Sequence, residues 1–220
     1  MKSLDEVVVE RLAAVRRRIV AAAGGLGRDV EVVAVTKTFG VEAVWAAYRA
    51  GCIAIGENYA QETVDKLAGL TRPFRVHFIG QLQSNKVRRL AGLVDVYETV
   101  DRSSIASEIA RRAPGAEVLV QVDTTGEPGK GGCRVADVGA LVAEARDCGL
   151  KVSGLMTVGP TTGGAEAARD GFRRVRALVD ELGLTVCSMG MSGDFEVAVE
   201  EGSNQVRIGS ALFGERRPLN

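Results

Sequence analysis

Lys37 follows the apolar run Val32-Val33-Ala34-Val35-Thr36, and Phe39-Gly40 then turns the chain toward a helix. A strand of that composition is suited to burial, yet it delivers an amine that is costly to desolvate as an ammonium. Such a lysine tends toward its neutral form, which can make a Schiff base with a carbonyl compound. Two later segments suit an anion. Met191-Ser192-Gly193 leads into a stretch expected to be helical from about 193 to 201, and Ile208-Gly209-Ser210 enters another short turn. The first amides of a helix lack internal partners and point outward, and a serine hydroxyl adds a donor. Taken singly, Ser192 as a helix cap and Gly209 as the relief of a tight turn are the ordinary explanations. Together the two turns favour a phosphate site. Arg207 precedes Gly209 by two residues, so both should project from one face of the same strand. A guanidinium can only donate, so facing a pyridine nitrogen it would keep that nitrogen unprotonated; an ordinary salt bridge is the alternative.

The elements that must position these groups are legible as a repeat. Residues 3–22 carry Val8, Leu12, Val15 and Ile19 on one helical stripe, with Arg16, Arg17 and Arg18 expected on a solvated face. Gly24, Gly25 and Gly27 end that helix. From residue 31 onward, near-continuously apolar runs at 31–37, 52–56, 75–79, 94–99, 117–122, 151–156, 185–189 and 205–208 alternate with amphipathic stretches. Apolar strands each followed by an amphipathic helix imply a parallel sheet covered by crossover helices. The pattern predicts an α/β fold: a single (β/α)8 TIM-type barrel with an extra N-terminal helix, spanning 1–220 as one domain. A doubly wound open sheet is the alternative, but no G-x-G-x-x-G follows the first strand. In a barrel, ligands sit at the carboxyl ends of the strands, where Lys37, Asn58, Met156, Ser192 and Gly209 fall.

Composition narrows the function. The 220 residues are 46% hydrophobic, and 28 basic residues balance 28 acidic ones, so neither nucleic acid nor an anionic membrane is an expected partner. The apolar runs are too short for a membrane span, and acidic residues interrupt the N-terminus where a secretory signal would be apolar. Cys52, Cys133, Cys148 and Cys187 are scattered and form no C-x-x-C pair, as expected of buried, reduced thiols in the cytoplasm. A single histidine, His77, excludes a His-rich metal centre. Gly126 to Gly132 fails the phosphate-loop spacing and is expected to be a mobile rim loop, while Asn58 and Asn85 could meet a ligand or simply form turns.

The strings Thr36-Lys37, Gly56-Glu57-Asn58-Tyr59, His77-Phe78-Ile79-Gly80, Leu82-Gln83-Ser84-Asn85-Lys86, Gly154-Leu155-Met156, Ser188 to Asp194 and Val206 to Gly209 occur together in this order. The set resembles the pyridoxal-phosphate homeostasis protein family (YggS/PROSC type), related to the barrel domain of alanine racemase, over about residues 31 to 217. The resemblance implies pyridoxal 5′-phosphate (PLP) on Lys37, phosphate contacts from Ser192, Gly193, Gly209 and Ser210, and Arg207 at the pyridine nitrogen. Asn58 and Met156 would stand beside the cofactor. Gln81, where relatives commonly have proline, relaxes the backbone before the segment Gln83 to Lys86.

A racemase needs a base on each face of the substrate carbon, and the resembling racemases bring the second from a β-rich domain. Only Tyr59 or His77 could substitute here. A non-catalytic PLP carrier is therefore expected, a monomer that buffers the cofactor, indirectly affects amino-acid and keto-acid metabolism, and could supply PLP-dependent apo-enzymes. An amino-acid racemase or lyase is the alternative, and a cofactor-free Schiff-base aldolase is a more distant one.

Overall fold

The computed structural model describes residues 2–25, 27 and 29–214. The expected polar tail Glu215 to Asn220 lies outside the described residues. Among the described residues there are nine strands, alternating with helices except between the fifth and sixth: β1 (Glu31–Val35), β2 (Ala54–Glu57), β3 (Arg75–Phe78), β4 (Val96–Val100), β5 (Glu117–Asp123), β6 (Cys133–Arg134), β7 (Lys151–Thr157), β8 (Val186–Met191) and β9 (Gln205–Ile208). All pairings are parallel, and the order β1-β2-β3-β4-β5-β7-β8-β9 closes on itself through the β1–β9 and β4–β5 ladders. The result is the predicted closed barrel. The two-residue strand β6 adds to β5 at Val122 and Asp123 and was not expected.

The helices are α1 (Leu4–Ala22), α2 (Val41–Arg49), α3 (Ala60–Leu67), α4 (Ser84–Leu90), α5 (Ser103–Arg112), α6 (Val138–Asp147), α7 (Arg169–Glu181), α8 (Phe195–Glu200) and α9 (Ser210–Phe213). Their apolar faces meet the outer face of the barrel in one continuous core. Period-two alternation divides each strand between that core and the barrel interior. On β9, Val206 and Ile208 join the core outside, and Gln205 and Arg207 turn inward; on β8, Cys187 and Met189 face out and Ser188 faces in. The interior is thus partly polar, which near-continuous hydrophobicity did not suggest.

Helix α1 starts with a capping box between Ser3 and Glu6 and buries Val8, Leu12, Val15 and Ile19, as its stripe predicts. Its basic cluster is exposed, as expected, yet two of its members also make specific contacts. Arg16 donates to Gly51 O, and Arg18 pairs with Glu196 at 2.6 Å while stacking 4.5 Å from the Phe195 ring centroid, both on α8. Arg11 donates to Leu212 O on α9 at 3.0 Å. Helix α1 thereby braces the two short helices that follow β8 and β9.

Three strand ends differ from the sequence reading. β1 stops at Val35, so Lys37 sits in the turn beyond it. Ser84 to Lys86 form the start of α4, so Asn85 is helical rather than part of a simple turn, and it is exposed. Residues 126–132 are tethered rather than loose. Asp123 Oδ1 accepts the amides of Thr125 and Gly126, and Lys130 donates to Gly159 O at 2.6 Å and pairs with Glu127 at 2.9 Å.

Candidate functional site

A cavity of about 270 Å³ opens at the carboxyl ends of β1, β3, β8 and β9. Val35, Lys37 and Phe39 form one wall, Ile79 another, and Met191, Ser192, Gly193, Arg207, Gly209, Ser210 and Gly214 the remainder. Residues separated by 170 positions in the sequence therefore meet because β1 and β9 are neighbours. Six of the eight predicted cofactor-binding residues line this space: Lys37, Ser192, Gly193, Arg207, Gly209 and Ser210.

The other two lie elsewhere. Asn58 stands behind Lys37, accepting from its Nζ at 3.5 Å through Oδ1. Met156 is buried in the barrel interior against Val96 and Leu119, which is a packing role, and it does not line the cavity. Tyr59 precedes α3, is 46% exposed and lines a separate outer groove, so its phenol is not in the cavity wall.

The glycine-serine turns are joined. Ser192 does not cap α8; its Oγ accepts the amides of Gly209 at 3.3 Å and Ala211 at 3.2 Å. Asp194 takes the position before α8 and accepts the Met191 amide at 2.6 Å. Gly209 has an ordinary φ of −113°, so no tight turn requires glycine there. A Cβ built at Gly193 would meet nothing within 4 Å, so this glycine keeps the backbone bare toward open space. That is the shape of a cradle for an anion.

Arg207 is 3% exposed. Its Nη1 donates to Ser188 O at 2.8 Å and Ser188 Oγ at 2.7 Å, and its Nη2 donates to Thr157 O at 2.7 Å. No carboxylate among the described residues pairs with it directly, so the salt-bridge alternative fails. A guanidinium has five N–H donors, and these three bonds leave donors over at the cavity wall.

Beneath it lies a buried polar network that sequence reading missed. Glu98 accepts from His77 Nδ1 at 2.6 Å and Gln205 Nε2 at 2.8 Å through Oε1, and from Ser188 Oγ at 2.7 Å through Oε2. Burial acts to raise the Glu98 carboxyl, but His77, the Arg207 charge and Ser188 outweigh it and hold it below the ordinary carboxylate value. His77 is thereby committed to Glu98 inside the barrel and does not line the cavity. The sequence signal was the set of inward-facing polar residues at period two, hidden because its members come from β3, β4, β8 and β9.

A second missed cluster lies under Lys37. Glu57 is fully buried and accepts from Thr36 Oγ1 at 2.5 Å and Lys66 Nζ at 2.7 Å. Burial pushes its carboxyl up, against the opposing pull of Lys66 and Thr36.

Comparison with known proteins decides the family. Residues 11–217 match the family model described as alanine racemase, N-terminal domain. A Pseudomonas aeruginosa protein named pyridoxal phosphate homeostasis protein is 40% identical over 220 residues, covering 95% of this chain and 96% of that one. The chain belongs to the pyridoxal phosphate homeostasis protein family. An Escherichia coli protein of the same name is 36% identical over 232 residues, covering 95% of this chain and 97% of that one. Among solved structures, PipY of Synechococcus elongatus with PLP bound superposes with a TM-score of 0.82 at 31% identity, covering 94% of this chain and all of that one. D-threo-3-hydroxyaspartate dehydratase from Delftia, at 20% identity and a TM-score of 0.69, shares the fold.

No helix of the described residues is long and apolar enough to cross a membrane, and no cluster of three or more potential metal ligands occurs among them.

Proposed function

We propose that this protein is a non-catalytic PLP carrier acting in intracellular PLP homeostasis, with the cofactor held on Lys37. The carrying observation is that one cavity joins Lys37, two linked glycine-serine turns and Arg207, with Lys37 and Arg207 the only titratable side chains in its described wall. The residues fit the group: the bare backbone at Gly193 and the Ser192 and Ser210 hydroxyls suit its phosphate, and the spare Arg207 donors suit its ring nitrogen. When bound, PLP supplies an aldehyde and an electron-accepting ring. Lys37 would hold the group covalently through Nζ, its two amine protons leaving with the carbonyl oxygen as water. Arg207, unable to accept a proton, favours the unprotonated ring and so weakens its pull on electrons from a substrate carbon.

Retention without turnover is supported by where the two candidate second bases lie among the described residues. Tyr59 points into another groove and His77 is bound to Glu98, so neither candidate second base reaches the cavity wall. The family name carried by the relatives and the PLP-bound PipY structure support this reading. Four cysteines without disulfides agree with a cytoplasmic location, although Cys148 is exposed where a buried thiol was expected, and a monomeric single-domain carrier that passes PLP to apo-enzymes completes the proposal.

The test is borohydride reduction of the PLP-loaded protein followed by peptide mass spectrometry. A pyridoxyl group on Lys37, absent in Lys37→Ala, is expected; the same adduct on another lysine overturns the assignment. Incubation with amino acids in deuterated water separates carrier from racemase or lyase, because steady multiple-turnover α-proton exchange contradicts the carrier reading.

A further inference from the structure

Two side chains outside the cavity wall grip the backbone on both sides of Lys37. Lys66, on α3, has a side chain only 5% exposed. Its ammonium donates to Thr36 O at 2.9 Å, Glu57 Oε1 at 2.7 Å and Glu62 Oε1 at 2.9 Å. An ammonium has three donors, so all of them are used. Glu62 Oε1 in turn accepts the backbone amide of Thr38 at 2.6 Å. The carbonyl before Lys37 and the amide after it are therefore held by one partly buried ion pair.

What the pair holds is costly. Thr38 has φ 69°, the only positive φ of a non-glycine residue among the described residues. A β-branched residue is a poor occupant of the left-handed region. This conformation reverses the chain directly after Lys37, and Phe39 N then donates to Thr36 O at 3.1 Å to close the turn. With the turn closed, Lys37 and Phe39 both line the cavity.

We propose that Lys66 and Glu62 are positioning residues for Lys37, keeping the strained Thr38 turn closed so that the amine stays aimed into the cavity. The inference rests on the reading that Lys37 is the attachment point for PLP. Neither Lys66 nor Glu62 touches the ligand space; each acts through the backbone that flanks the lysine. Without them Thr38 relaxes toward ordinary φ, and the fraction of molecules presenting the amine falls.

The test compares two ligands on the full chain. PLP requires Lys37 for capture, measured as the rate at which a borohydride-stable pyridoxyl group accumulates on it. Pyridoxamine 5′-phosphate has the same ring and phosphate but no aldehyde, so its affinity reports the cradle alone. Lys66→Met is expected to slow capture about tenfold, the population change set by a strained left-handed residue, with pyridoxamine 5′-phosphate affinity unchanged. Adding Thr38→Gly, which makes positive φ inexpensive, is expected to return most of the lost rate. Unchanged capture in Lys66→Met, or no recovery in the double variant, overturns the proposal.

Should Lys66→Met fail to fold, Glu62→Ala replaces it, since that side chain is 25% exposed. Slower capture and faster hydrogen exchange at the Thr38 amide are then expected, and wild-type values for both overturn the clamp. The exchange measurement uses the ligand-free protein. It therefore judges the clamp even if the wild-type adduct falls on another lysine, an outcome that sinks the functional reading alone.

Discussion

The Ser192 hydroxyl oxygen accepts the Gly209 amide hydrogen at 3.3 Å, across the gap between the turn after β8 and the turn after β9. With the Ala211 amide on the same oxygen, the two turns become one unit. Ser192 serves as acceptor in both bonds, so its own O–H remains available to an incoming anion. Ser192→Ala removes that donor and uncouples the turns. The expected loss is about tenfold in pyridoxamine 5′-phosphate affinity, the scale of one hydrogen bond to a charged group. Calorimetric titration checks it, and an unaltered affinity would move the phosphate away from this nest.

Glu98 sets an acid limit on the fold. Its carboxyl is held below the ordinary value of 4.5 despite burial. A group depressed in the folded state contributes stability above its unfolded value, and that stability is lost as pH falls through the folded value. Glu98→Gln is expected to cost about 3 kcal/mol at pH 7, because the Arg207 charge loses its counter-charge inside the barrel. The gap between wild type and variant should narrow below about pH 4. Urea unfolding at a series of pH values measures it; a gap that stays constant into acid would show that the carboxylate charge is not what matters.

Arg207 is predicted to resist its nominally conservative replacement. A lysine has no planar fork with which to reach Ser188 O and Thr157 O together. Arg207→Lys should lower stability by about 2 kcal/mol, the scale of a carbonyl left unsatisfied in the interior. Equal unfolding free energies would show that charge alone is sufficient there.

Thiol chemistry offers a simple check on packing. Burial pushes Cys52 and Cys133 up to about 11 and Cys187 up to about 12, whereas Cys148 is exposed. Iodoacetamide at pH 8 should label Cys148 in the native protein and the remaining three only after denaturation. Labelling of Cys187 in the native state would contradict the β8 register.

Most of the barrel was readable because its strands are buried on both faces, so each appears as an apolar run followed by an amphipathic helix. The outer periodicity could not announce β6, whose two residues carry no pattern. Of the site, Lys37, Ser192, Gly193, Arg207, Gly209 and Ser210 were legible because each stands at or just past a strand end. Asn58 was legible as a residue that could meet a ligand, but not as the acceptor standing behind Lys37. Glu98 was not legible, since its partners His77, Ser188 and Gln205 come from other strands 21 to 107 residues away. Glu62 and Lys66 were missed for the opposite reason: a carboxylate and an amine four apart on a helix look like a surface pair. Only the closed barrel shows that α3 lays them against the turn after β1.

The bracing of α8 and α9 by Arg18 and Arg11 ties the chain's opening helix to the nest it never touches. If a guest that tightens those turns also tightens the grip of residues 4–22 on the barrel, the reverse holds by the same free energy. Loosening of α1 and departure of the guest would then be two equilibria joined by a single coupling free energy.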